Sequence, residues 1–179
     1  MRTPGLSDGD QRMLLHGLAD QLNTIADQFP LPDQVRADPA VGEILDDEIR
    51  NLARLLGYLA GESAFRHRAS ARYPDQLTSS QRRATLALAR AAEPASGALA
   101  ALGSAVHDLG VLFDLTHQAP GRDRDRAAAA AHQRLAEHFT EARTHLIRAA
   151  QQLRRAADTR TASPAAAPPS PQASPARAR

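Results

Sequence analysis

Histidines and glutamates at helical spacing are the residues of this chain that most resemble a metal-binding set. His138 and His145 are one heptad apart, and Glu137, Glu141 and His145 follow one another at steps of four. On the predicted helix, however, the histidines flank the core and the glutamates point outward, whereas di-metal bundles need pairs of ligands that point inward. We therefore expect surface histidines, with no metal and no other cofactor.

His107 is a second candidate, because a phosphorelay histidine must be exposed on a bundle helix. It lies in the segment AVHDL, residues 105–109, which is similar to the histidine phosphotransfer motif in its Ala-x-His-x-Leu spacing. That family continues with a basic residue and then a glycine four positions after the histidine, where this chain has Gly110 and Val111. The resemblance implies phosphoryl transfer through His107 as a minor alternative, since a shared fold by itself does not define a function.

Arginine could also bind a ligand. The chain has 22 basic residues, all of them arginine, and a net charge of +2. Because a guanidinium makes planar bidentate contacts with phosphate, an arginine cluster could hold nucleic acid or another polyanion. The helix pairing described below is expected to gather such a cluster at one end of the fold: Arg66, Arg68, Arg72, Arg82, Arg83, Arg90, Arg154 and Arg155. Solvated helix faces, with arginine favoured by codon usage, are the ordinary alternative.

Signatures of the common enzyme classes are missing from the sequence. The chain has no cysteine, which excludes disulfides, thiolate zinc sites and cysteine nucleophiles. It also contains no G-x-S-x-G, no phosphate-binding glycine loop and no H-E-x-x-H. We therefore expect a protein that is not an enzyme.

Four helices must position the residues named above, and start signals mark three of them. Ser7 and Thr78 each open a capping box, whose partner side chain follows three positions later. Asp38-Pro39 combines an N-cap residue with proline at the first helical position, where its missing N–H is not needed. The predicted helices cover residues 7–29, 39–71, 79–117 and 123–158.

The predicted fold is an all-α, antiparallel four-helix bundle. Aromatic residues make up only 3% of the chain, so alanine and leucine must form the core, and the loops between the helices are short. Pro94 is expected to kink the third helix or to break it near Ala92. The first helix should be roughly 34 Å long and the others roughly 50–58 Å. The far half is therefore either a three-helix bundle or a groove that another chain fills.

The ends of the chain are expected to lie outside the bundle. Residues 1–6 are predicted to be flexible, and residues 159–179 are rich in proline, alanine and serine, which predicts a disordered tail. The N-terminus lacks an apolar targeting segment, and no run of about 18 apolar residues stands out. We expect a cytoplasmic protein that does not bind membranes.

The function that these features favour is protein–protein contact or self-association by helix-in-groove packing. The predicted partner contacts are apolar residues near the arginine-rich end: Phe65, Leu86, Leu88 and Leu153. The alternative is an accessory nucleic-acid or polyanion binder that uses the arginine cluster and the basic tail.

Overall fold

The computed structural model describes residues 7–35, 39–73 and 78–159, and these form four helices. They are α1 (Asp8–Gln28), α2 (Pro39–Arg72), α3 (Ser79–Thr116) and α4 (Arg122–Asp158). The described residues contain no strand. The all-α prediction is confirmed, and every helix boundary lies within one residue of its predicted position. The predictions for residues 1–6 and 160–179 concern parts of the chain outside the described residues.

Both predicted capping boxes are present. The Ser7 hydroxyl accepts a hydrogen bond from the Asp10 N–H at 3.2 Å, and the Asp10 carboxylate accepts one from the Ser7 N–H at 3.1 Å. Thr78 and Gln81 make the same reciprocal pair at 3.1 and 2.9 Å. Each cap satisfies backbone donors that a helix start leaves free, a contribution of about 1 kcal/mol. The predicted Asp38 cap lies outside the described residues.

Helix α3 runs through Pro94 without interruption, so the break predicted near Ala92 is wrong, whereas the alternative, a kink, stays a prediction. Proline removes one backbone donor from the helix, yet Pro94 is buried within α3, where the surrounding helices hold the segment in place. Within the described part of the chain, α3 is the one helix long and apolar enough to cross a membrane, which the sequence analysis did not anticipate. In this fold α3 contacts all three other helices.

The helices pack in the order α2, α3, α4, α1. The α3–α4 contact is the most extensive, and small buried side chains on both helices allow the backbones to come close. Asp108 near the end of α3 lies against Arg134 near the start of α4, so these helices are antiparallel. Gly42 at the start of α2 lies near Leu109 of α3, and this pair is antiparallel as well. The predicted bundle is thereby confirmed.

Helix α1 covers only part of the bundle, as its length predicted. Arg154 of α4 donates to Asp20 at 2.7 Å, and Arg143 donates to the carbonyl of Ala26 at 3.1 Å and to that of Phe29. The Phe29 ring packs on Phe139 with the ring centroids 5.7 Å apart. Since α1 ends at this level of α4, the part of the bundle beyond it consists of α2, α3 and the first half of α4.

Candidate functional site

Two of the four predicted partner contacts are core residues. Leu88 and Leu153 are 0% exposed, because they lie on the inward faces of α3 and α4. They offer no surface to a partner, so the prediction is corrected for these two residues. Phe65 is 61% exposed and Leu86 is 48% exposed, which leaves them as surface positions.

Phe65 and Leu86 lie on different faces of the bundle. Phe65 follows Tyr58 by one heptad and shares the α2 flank that faces α1. Gly97 lies on the α3 flank that faces α4, where it contacts His145. Leu86 lies eleven residues earlier, which is three helical turns, and is therefore on the same flank. The structure therefore does not bring the predicted contact residues together as one surface.

Two of the eight predicted polyanion contacts form ion pairs within the chain, and a third is half-buried. The Arg66 side chain is 12% exposed, and its Nε donates to Glu62 at 2.7 Å. Arg154 is paired with Asp20 on α1. Arg83 is half-buried and lines a small cavity together with Asp8. The other five are exposed and make no ion pair with any described residue: Arg68, Arg72, Arg82, Arg90 and Arg155.

The arginine-rich end also carries acidic residues that the sequence analysis did not assign to it. The start of α1 brings Asp8 and Asp10 to this end, next to the start of α3 and the end of α4. Asp158 lies there too, 3.3 Å from His16. This end of the bundle therefore carries charges of both signs and not arginines alone. Binding of nucleic acid or another polyanion stays a prediction.

A cluster of polar side chains lies on the outer side of the α3–α4 contact. Asp108 is almost fully buried, and its Oδ1 accepts from Arg134 Nε at 2.9 Å and lies 2.8 Å from an Arg134 terminal nitrogen. Its Oδ2 lies 3.4 Å from His138 Nε2. A buried carboxylate in this position orients both partner side chains across the helix–helix contact. His107, Gly103 and other α3 residues line the shallow groove beside it.

The residues of α4 that most resembled a metal-binding set lie in and beside this cluster. Glu141 lies between His138 and His145, at 3.8 Å from each ring. Across the described residues, no three histidine, aspartate or glutamate side chains are placed to hold one metal ion. The Ser104 hydroxyl donates to the Ala100 carbonyl of its own helix at 3.4 Å. His107 is exposed, as predicted, and its phosphoryl transfer stays a prediction.

A second groove lies between α1 and α2. These two helices touch each other only slightly, because α1 packs mainly on α4 and α2 mainly on α3. The groove has a volume of about 600 Å³, and it is lined by Leu14, Leu18, Gln21, Thr24, Ile25, Gln28, Glu48, Asn51, Arg54, Leu55 and Tyr58. We refer to it as the α1–α2 groove. Its floor is apolar and its rim polar, which is typical of a surface that packs against another protein.

Individual side chains of the α1–α2 groove differ in burial. Leu18, Ile25 and Leu55 retain 5–7% exposure and form the floor, whereas Tyr58 is 44% exposed at the rim. The Tyr58 ring presents a large apolar area, and it has a hydroxyl that can remain in water. The separation of α1 from α2 along this groove was not predicted from the sequence.

Glu48 is a buried acid within the groove. Its burial raises the pKa of its carboxyl above the usual value, and neighbouring Asp47 raises it further, while a hydrogen bond with Asn51 acts in the opposite direction. No arginine or histidine of the described residues lies within ion-pair distance of Glu48. A cation supplied by an occupant of the groove would therefore stabilise its charged form.

Comparison of the chain with known protein families, with curated proteins and with solved structures finds no match in any of the three.

Proposed function

We propose that the protein is a non-enzymatic helical bundle that acts through protein–protein contacts, and that its α1–α2 groove receives a helix. The observation that supports this proposal is the separation of α1 from α2 along a groove with an apolar floor. In the other contacts of the bundle, the apolar faces of neighbouring helices cover each other. A helix from another chain would provide the same cover for Leu18, Ile25 and Leu55.

Helix-in-groove binding fits the dimensions and chemistry of the groove. The α1 residues that line it run from Leu14 to Gln28, which is about 21 Å at 1.5 Å per residue. A helix of four turns matches this length and can place apolar residues at steps of three and four on the floor. Removal of that apolar surface from water stabilises such a complex by about 25 cal/mol per Å² before the cost of association is subtracted.

A titration with a model helix tests this proposal. The probe is a synthetic amphipathic peptide with leucines at steps of three and four and one arginine beside that stripe. In methyl-labelled protein, we expect an excess of this peptide to shift the NMR signals of Leu14, Leu18, Ile25 and Leu55, because these side chains line the groove and the peptide competes with any other occupant.

Matched variants distinguish binding in the groove from nonspecific binding of the peptide to the protein surface. Tyr58→Asp places a charge at the groove rim and should abolish the shifts. Ile147→Asp changes an apolar residue of similar exposure, 40%, on α4, and should leave them unchanged. Shifts that spread over α3 and α4, or equal loss of binding in both variants, would contradict the proposal.

A further inference from the structure

We propose that the occupant of the α1–α2 groove is a second copy of this chain, with the α2 helices of the two copies packed antiparallel about Asn51. This inference rests on the proposed function and specifies its partner. In a two-fold symmetric dimer the same surface of each copy meets itself. In an antiparallel helix pair centred on Asn51, a residue n positions before Asn51 in one copy therefore faces the residue n positions after Asn51 in the other.

The charges of α2 are self-complementary about Asn51. Glu48 lies three residues before Asn51 and Arg54 three residues after it, and all three side chains line the groove. Antiparallel pairing about Asn51 places Glu48 of each copy opposite Arg54 of the other. Neither side chain has an ion-pair partner among the described residues of its own chain. The dimer would therefore contain two equivalent ion pairs, and each would supply the cation that Glu48 lacks.

The apolar residues of α2 follow the same symmetry. Ile44 lies seven residues before Asn51, and Tyr58 lies seven residues after it. Because a heptad returns to nearly the same helix face, both lie on the side that carries Asn51. Antiparallel pairing places half-buried Ile44 against exposed Tyr58 of the other copy, one turn beyond each ion pair. When two copies of α2 pair antiparallel, apolar residues therefore face apolar residues, and each acid faces a base.

Self-pairing also accounts for the separation of α1 and α2. When α2 of the second copy enters the groove, it covers the floor residues on α1 as well as those on α2. By symmetry, the first copy does the same for the second. The four helices, α1 and α2 from each copy, then form a second bundle with the groove floors in its centre.

Charge reversal in the full-length chain tests this inference, with sedimentation equilibrium as the measurement. We expect a dimer for the unaltered chain. We also expect Glu48→Arg or Arg54→Glu alone to weaken dimerisation by about tenfold or more in Kd, because each variant places two pairs of like charges in contact. The combined variant, Glu48→Arg with Arg54→Glu, should restore dimerisation, because both ion pairs form again with the positions of acid and base exchanged.

Arg50→Glu is the matched control, since Arg50 is an exposed α2 arginine that pairs with Asp46 of its own chain, and it should leave the dimer intact. Circular dichroism confirms that each variant is folded. A chain that stays monomeric at every concentration, or a combined variant as weak as the single ones, would overturn the inference. If the chain stays monomeric but the amphipathic peptide still shifts its groove signals, the second copy is excluded as occupant and the proposed function stands. If the chain stays monomeric and the peptide shifts no groove signal, the inference and the proposed function both fail.

Discussion

Leu153→Asp is expected to unfold the protein, whereas Leu86→Asp is expected to leave it folded. Leu153 is 0% exposed in the α4 core, and the variant would bury a carboxylate with no partner or force the helices apart. The cost of several kcal/mol is comparable with the whole free energy of unfolding of a domain, about 5–15 kcal/mol. Leu86 is half exposed, so an aspartate there can remain in water, and the expected cost is about 1 kcal/mol or less.

Thermal and denaturant unfolding followed by circular dichroism measure the difference between these two variants. Leu153→Met separates the effect of charge from that of shape, because it keeps an apolar side chain of similar volume and should cost less than about 1.5 kcal/mol. A Leu153→Asp protein with the melting temperature of the unaltered chain would show that Leu153 is not in the core. The packing of α4 described above would then be wrong.

Arg134→Met is expected to destabilise the protein by about 2–4 kcal/mol, which is among the larger effects of a change outside the apolar core. It removes both short contacts to Asp108 and leaves that buried carboxylate with His138 as its remaining side-chain partner. Arg134 itself is half exposed, so the reverse variant, Asp108→Leu, leaves a cation that can turn into solvent. We expect Asp108→Leu to cost less than Arg134→Met for this reason.

A double-mutant cycle measures the coupling between these two side chains. The combined variant, Asp108→Leu with Arg134→Met, should be more stable than Arg134→Met alone, because no uncompensated charge remains in the α3–α4 contact. Additive costs would contradict the assigned contact. Gln133→Met serves as a control. Gln133 is an exposed neighbour of Arg134 on α4, and its side chain donates a hydrogen bond to Glu137 instead of Asp108.

The sequence predicted the helices well because their signals are local. Ser7 and Thr78 bind N–H groups three residues away, so the capping boxes depend on the short segments that contain them. The break at Pro94 was wrongly predicted because the effect of a proline depends on the surrounding structure: the helices packed around α3 hold the segment that proline would otherwise interrupt.

The candidate site was harder to predict because it depends on which helices are neighbours. Leu88 and Leu153 were predicted as partner contacts because an apolar side chain on a helix can belong either to a core within one chain or to an interface between chains. Asp108 and Arg134 are 26 residues apart, and only the antiparallel contact of α3 and α4 makes them a pair. The length of α1 predicted the half of the bundle that lies beyond its end, but not the groove alongside it. That groove exists because α1 packs on α4, through contacts such as those of Arg143 and Arg154, and only slightly on α2.

Cysteine crosslinking at Asn51 tests the central claim most directly. The chain has no cysteine, so Asn51→Cys introduces a single thiol at the proposed two-fold axis, where the two copies come closest. Mild oxidation should convert this variant to a disulfide-linked dimer. Ser96→Cys, an equally exposed position on α3, should remain monomeric under the same conditions. Equal crosslinking of both variants, or none at Asn51, would contradict the pairing of two copies through the α1–α2 groove.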